Sequence, residues 1–328
     1  MTFAEEKGSA LAELRARTVL GAAGLDPHVP MERASSVTNE VWLTPHHVVR
    51  VNRTHDSRLA REVRVARSLP PEVGYPTIVA HGHRHGEDWL ISERVAGEPL
   101  AHRWPGLSIR QRRSAVAQLA RRLRAIHQVV PPAGLPSLSG APHLLDAGIE
   151  QPTAPLVRAL ERAARLDHVD PLLIHEAQDL VSDRADALEP FASSTLIHGD
   201  VTFENVLWHD GEVTAVLDVE WARAAPADID LDIILRCCAY PKLHVAERFE
   251  ATTRAQDYAA VPEWLHAAYP EWFAHPRLFD RLRIFAIAYE TRELLAFPPA
   301  RPLDQLSPQH PYHRLAHVVS GESYLDAV

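Results

Sequence analysis

The densest chemistry in the chain lies in Leu196-Ile197-His198-Gly199-Asp200-Val201-Thr202-Phe203-Glu204-Asn205-Val206-Leu207, followed by Val216-Leu217-Asp218-Val219-Glu220-Trp221. Asp200 and Asn205 bracket one loop, and its apolar flanks would anchor it as strands. Trp208–Thr214 reads as a short hairpin turning at Asp210-Gly211, which would carry Asp218 back beside Asn205. Three oxygen-bearing side chains then converge at one end of the hairpin. Mg²⁺ takes oxygen ligands, usually one or two from protein and the rest from phosphate and water. Asn205 and Asp218 supply that number, and Asp200 is left to receive or orient a hydroxyl proton. A metal that gathers phosphate charge and a carboxylate that aims a nucleophile are what phosphoryl transfer requires. The bland reading is turn formation, which Asp and Asn favour; it does not explain three positions and a hairpin fitting together.

The elements that must position these residues fall into two parts. Residues 9–24 read as a helix with Leu11, Leu14, Val19 and Leu20 on one side. Val37, Val41 and Leu43, then Val48, Val49 and Val51, predict two or three short antiparallel strands around Thr44-Pro45-His46-His47. Asp56-Ser57 can cap a helix over 57–69, closed by Pro70-Pro71. Strands follow at Thr77–Ala80 and Asp88–Val95, joined by a loop from His81 to Glu87. After Gly97 the pattern turns helical: Ser108 opens a helix with Ala115, Leu119, Leu123 and Ile126 buried, 152–190 and 226–297 are helical, and strands return at Thr195–Ile197 and Val213–Leu217. This predicts an α+β chain with a β-rich part over residues 1–96 and a helical part over 97–328. A cleft between two such parts is a common ligand site.

His198-x-Asp200-x4-Asn205 has the spacing of the kinase catalytic loop. With Gly199 in place of arginine and Asp218-Val219-Glu220 in the metal-binding position, the chain resembles the aminoglycoside phosphotransferase and choline kinase-like family of small-molecule kinases. The resemblance spans roughly residues 30–300 and is dense from 195 to 236. It implies a protein-kinase-like bilobal fold, with a nucleotide-binding lobe over 1–96 and a catalytic and substrate-binding lobe over 97–328. It also implies Mg²⁺, ATP or GTP as co-substrate, and a hydroxyl acceptor such as an antibiotic. Asp200 would be the catalytic base, Asn205 and Asp218 the metal ligands, and His198 a brace for the loop. Asp230, in an Asp-Leu pair opening a helix, would accept hydrogen bonds from the catalytic-loop backbone. Glu220 would lie near the metal or face substrate. Ser35, Ser36 and Thr38, in the glycine-free stretch Ser35-Ser36-Val37-Thr38-Asn39, would cover phosphate with hydroxyls. Arg50 would hold the α- and β-phosphates with Glu62 as its partner. The connector around Glu93 and Val95 would offer backbone to the purine.

Other readings stand beside these. Arg50 and Glu62 can be an ordinary ion pair, and Ser35–Asn39 a plain turn. His81, His83 and His85 alternate as metal ligands do, although a solvated loop explains them better. Trp264, Tyr269, Trp272 and Phe273 can line a pocket or pack helices. Glu290 and Glu293 can form an acidic floor for an aminated substrate, or a solvated helix face. The alternative acceptor is a housekeeping alcohol such as choline, homoserine or a sugar. A nucleotide-binding pseudokinase is the non-enzyme alternative.

Composition narrows the classes. The 328 residues are 46% apolar and 23% charged, an ordinary globular balance that disfavours disorder and disulfide scaffolds. With 34 Lys plus Arg against 43 Asp plus Glu the formal charge is −9, a poor match for nucleic acid. Lys7 and Lys242 are the only lysines, which removes a lysine nucleophile from the middle of the chain. Cys237 and Cys238 are adjacent, fitting a reducing, cytoplasmic setting. No leader-like or membrane-length apolar stretch is visible, so the expected partner is a small hydroxyl substrate, possibly cationic. Monomer and homodimer are both open.

Overall fold

A computed structural model describes residues 3–34, 36, 39–52, 56–84, 86–135, 143–145, 151–191 and 194–327. The chain opens with helix α1 (Phe3–Ala22). The β-branched runs that follow build an antiparallel sheet from β1 (Glu32–Ala34), β2 (Glu40–Leu43), β3 (His47–Asn52), β4 (Ile78–Arg84) and β5 (Glu87–Glu93), in spatial order β1-β2-β3-β5-β4. Helix α2 (Arg58–Ala66) crosses between β3 and β4. Successive strand residues face opposite sides, so the sheet is covered twice. Trp42, Val49, Val51 and Ile91 pack on α1, while Leu90 packs on Leu59 and Val63 of α2.

The covering face of α1 differs from the expected stripe. Ala12, Ala16, Val19 and Leu20 are buried, whereas Leu11 and Leu14 are 54% and 61% exposed. Alanines let the helix backbone approach the sheet, and the larger leucines are rotated outward. The β4–β5 connection also differs. Pairing of His83 with Asp88 and of Arg84 with Glu87 extends the strands through the segment expected to be a loop. His83 hydrogen-bonds Asp88 at 2.9 Å, no acidic or histidine grouping among the described residues includes it, and His85 lies outside the described residues.

The chain continues through β6 (Glu98–Pro99) and α3 (Leu100–Arg103) into a mostly helical part that opens with α4 (Ile109–His127). Ser108 and Gln111 close a reciprocal capping box at the start of α4. Next come α5 (Ala154–Ala163), α6 (Pro171–Arg184), and the strands β7 (Leu196–Ile197), β8 (Val206–His209), β9 (Glu212–Val216) and β10 (Arg223–Ala224). Helices α7 (Asp228–Ala239), α8 (Glu247–Glu250), α9 (Val261–Ala268), α10 (Leu278–Ala296) and α11 (Pro311–Ser320) complete the lobe. One large core runs through it and takes in Trp264, Tyr269 and Trp272, with Phe273 packed at its edge. These aromatics therefore serve helix packing.

Two small ribbons sit among these helices. β6, β8 and β9 form one, and β7 pairs with β10 to form the other. The β8–β9 turn places Asp210 and Gly211 at φ 46° and 88°, the doubly positive conformation of a tight two-residue hairpin. No helix among the described residues is long and apolar enough to cross a membrane.

Candidate active site

β7 ends at Ile197 and releases His198, Gly199 and Asp200 into a loop that a short helical turn, Phe203–Asn205, returns to β8. Val201 and Phe203 are buried and anchor it. The loop is fixed from below by Asp230 in the first turn of α7. Its two carboxylate oxygens accept the amides of His198 and Gly199, each at 2.8 Å. His127, at the end of α4, hydrogen-bonds the same carboxylate at 3.0 Å. Burial alone would raise the pKa of Asp230, but the bonds from His127 and the Gly199 amide hold it below the usual range.

His198 is fully buried, and its two ring nitrogens have separate duties. Nε2 meets the Leu217 carbonyl at 2.8 Å, and Nδ1 accepts the Asp200 amide at 3.2 Å. That pairing needs the neutral Nε2–H tautomer, and burial lowers the pKa accordingly. The imidazole thus ties the loop to the residue before Asp218. The Leu217 amide in turn donates to the Asn205 carbonyl at 2.8 Å. The Asn205 side chain donates to the Asp200 carbonyl at 2.8 Å, which leaves its Oδ1 as the amide's acceptor.

Gly199 has φ +82°, and a Cβ there would lie 2.3 Å from the Trp221 carbonyl oxygen. Glycine stands here because β7–β10 pairing brings the segment after Asp218 directly against the loop. Asp218 itself adopts φ 63° and ψ 58°, a left-handed conformation that costs a non-glycine residue about 1–2 kcal/mol.

Charge is concentrated beside the loop. Burial, then the Asp218 and Glu220 carboxylates, push the Asp200 carboxyl well above the usual range. Oxygens of Glu62, Asp218 and Glu220 lie within 4.8 Å of one another. Arg50 on β3 reaches all three: it pairs with Glu62, with Asp218 at 2.9 Å and with Glu220 at 3.3 Å. Burial works against its charge, and the surrounding carboxylates more than compensate. Tyr75 donates to Glu62. Burial, then Asp218, raises Glu220 to about 7 against the pull of Arg50 and Arg58. Asp200, Asn205 and the half-exposed Asp218 offer only hard oxygen donors, in a pocket with more carboxylates than guanidinium groups. That donor set fits a divalent cation of the Mg²⁺ type.

Several expected positions fall elsewhere. Glu220 does not face an acceptor: it is buried, and its oxygens take Asn39 at 3.3 Å, Arg50, and Arg58 at 3.2 Å. It joins the catalytic side to the sheet lobe because its neighbour Asp218 already occupies the open side. Glu290 is not an acidic floor either. It is 1% exposed, with one oxygen held by Arg236 and the other by Arg314. Ser36 is exposed, and Ser35 and Thr38 lie outside the described residues. The amide of Glu93 is committed to the Thr77 carbonyl at 2.8 Å, while Val95 is half-buried in the connector. Sequence reasoning missed His127, Tyr75 and Arg58. Arg58 carried a signal, since it precedes Glu62 by one helical turn. His127 carried another, closing the apolar stripe of α4 one turn after Leu123.

A β-rich lobe over a helical lobe, with this loop and hairpin between them, defines a phosphotransferase enzyme of the small-molecule kinase type. The sequence matches the phosphotransferase enzyme family over residues 31–272, and the chain belongs to that family. Its fold is similar to the aminoglycoside phosphotransferase APH(4)-Ia (15% identity, TM-score 0.62, covering 96% of this chain and 99% of that one). It is also similar to a choline/ethanolamine kinase family protein from Mesorhizobium loti (17% identity, TM-score 0.61, 97% and 98% covered). A third likeness is to ADP-bound aminoglycoside phosphotransferase APH(2'')-Ib (13% identity, TM-score 0.56, 89% and 95% covered). A search of curated protein sequences gives no significant match.

Two outcomes follow from this geometry. Gly199→Ala should lower stability by at least about 2 kcal/mol through the left-handed φ and the clash with Trp221, read as a drop in the urea midpoint. His244, beside Glu290's arginines, is pushed down to about 3 by burial and by Arg236 and Arg314. Its folded pKa is depressed, so its contribution is complete above the unfolded value near 6.5 and is lost as pH falls. The stability difference between wild type and His244→Gln should therefore shrink by about 1.4 kcal/mol per pH unit below about 6.5. A pH-independent difference in urea titrations would contradict this.

Proposed function

We propose that this enzyme moves the γ-phosphoryl group of ATP or GTP to a hydroxyl of a small molecule, with Mg²⁺. The observation that supports this most directly is the pinning of Asp200 and Asp218 to one rigid unit through the His198–Leu217 and Leu217–Asn205 hydrogen bonds. Residues 1–96 would bind nucleotide, and 97–328 would supply catalysis and bind the acceptor. Asn205 and Asp218 would hold the cation, whose chemistry when bound is to neutralise phosphate charge. Arg50 would turn from the carboxylates to the α- and β-phosphates, keeping Glu62 as its anchor. Ser35, Ser36 and Thr38 would cover the phosphates, and backbone around Glu93 and Val95 would meet the purine edge. Asp200 would orient the acceptor oxygen.

The acceptor has two readings. Similar structures of aminoglycoside phosphotransferases support an antibiotic, and with it a role in resistance. The choline/ethanolamine kinase family protein supports a metabolite alcohol. The intact Asp200, Asn205 and Asp218 argue against a pseudokinase.

Asp200→Ala should reduce acceptor-dependent nucleotide consumption by at least roughly 10²-fold while leaving nucleotide affinity within about threefold. Retention of turnover would remove the mechanism. Calorimetry of nucleotide binding with and without Mg²⁺ tests the cation site: Asp218→Asn should abolish the Mg²⁺-dependent gain in affinity seen with wild type.

A further inference from the structure

Asn205 is delivered by one tight turn, Phe203–Asn205. A turn of this kind has about three residues per revolution, so its three side chains leave in three directions about 120° apart. Each direction has its own partner. Phe203 enters the core, where its ring meets Trp104 edge-on at 4.7 Å and Tyr258 at 5.4 Å. Asn205 donates to the Asp200 carbonyl at 2.8 Å. Glu204 reaches α3, where its Oε1 meets His102 Nε2 at 2.9 Å. A carboxylate only accepts, so the ring hydrogen lies on Nε2.

His102 is itself held in place. Its ring lies nearly parallel to Phe249 of α8, with centroids 3.7 Å apart and 19° between the planes. The Phe249 carbonyl accepts the hydroxyl of the buried Thr253 at 2.9 Å. The side chains of His102 and Glu204 are 15% and 27% exposed, so water competes little for their bond. Trp104 follows α3 directly, and its indole is anchored on the Asp257 carbonyl at 3.0 Å. Two of the turn's three side chains therefore meet one short segment, residues 102–104. Backbone bonds fix where Asn205 sits: its amide donates to the Thr202 carbonyl at 3.1 Å and its carbonyl accepts the Leu217 amide at 2.8 Å. The aim of its side chain also depends on the roll of the turn about its own axis, and Glu204 is the polar arm that resists that roll.

Resting on the reading of Asn205 as a cation ligand, we propose that His102 is a positioning residue for the divalent cation. By holding Glu204 against α3 it sets the roll of the turn, and with it the direction of the Asn205 Oδ1. His102 moves no proton and takes no part in the transfer. Its place in the chain gives the arrangement a wider reach. α3 follows β6, the connector strand paired with β8, so the turn is braced by residues next to the join between the lobes.

Calorimetry of nucleotide binding to the full chain, in Mg²⁺ and in EDTA, reads the cation site with no acceptor present. A partner bonded directly to a metal ligand is worth about 10–100-fold in metal affinity, and His102 acts one residue further away. His102→Ala should therefore cut the Mg²⁺-dependent gain in affinity by at least about threefold, while affinity in EDTA stays within about twofold of wild type. General damage to the fold would move both. His102→Gln, whose amide N–H still reaches Glu204, should recover most of the gain. Because His102 acts through Glu204, the double variant His102→Ala/Glu204→Ala should lose no more than either single variant. Phe249→Leu leaves His102 in place without its stack and should give a smaller loss in the same direction; it carries the test if His102→Ala fails to fold. The proposal is overturned if His102→Ala or, in its stead, Phe249→Leu keeps the full Mg²⁺ gain, if glutamine restores nothing, or if the two losses add. In those outcomes the wild-type gain and its loss in Asp218→Asn leave the cation reading standing. A wild-type chain with no Mg²⁺-dependent gain removes both.

Discussion

A buried carboxylate holds the site together. Asp230 is fully enclosed, where an ionised group is tolerated only if its oxygens are satisfied. It is satisfied by the two loop amides and by His127, and these same bonds define the loop. The desolvation cost of the carboxylate and the shape of the loop are therefore one problem with one solution. α4 supplies the histidine, α7 supplies the aspartate, and the loop between β7 and β8 has no freedom to rearrange unless a buried charge is stranded.

The second organising group is Arg50. Its charge reaches Glu62 in the sheet lobe and Asp218 and Glu220 beyond the hairpin. Asp218 sits where two restraints meet. The residue before it is bonded to His198 of the helical lobe, and Glu220 is bonded to Asn39, Arg50 and Arg58 of the sheet lobe. The left-handed backbone at Asp218 is what lets a chain fastened on both sides turn its carboxylate toward the open side.

Much of this was legible because it is local. The loop spacing, the Asp210-Gly211 turn and the strands around them depend on residues close in sequence, where turn chemistry and β-branching decide the outcome. Ser108 and its helix were readable for the same reason. What escaped depends on partners far along the chain. Leu11 and Leu14 look like a core stripe until the sheet selects Ala12 and Ala16 instead. Glu290 looks like a free acid until α7 and α11 bring arginines to it. A charge has no fixed meaning in a sequence, because its partner is set by packing. The β4–β5 segment was misjudged differently: histidine and glycine suggested a loop, and cross-strand pairing overrode them.

One further feature concerns the connector. Thr214 of the hairpin donates to the Ala96 carbonyl at 2.8 Å, Gly97 lies so close that a Cβ would sit 3.1 Å from the Trp208 carbonyl, and Glu98–Pro99 pairs with β8. The strip joining the lobes is therefore stitched to the strand that also leads from Asn205. β8 thus answers to two neighbours at once, the connector on one edge and β9 with Asp218 beyond it on the other, so a substitution that loosens Gly97 or Thr214 would be felt at the metal-facing end of the same ribbon.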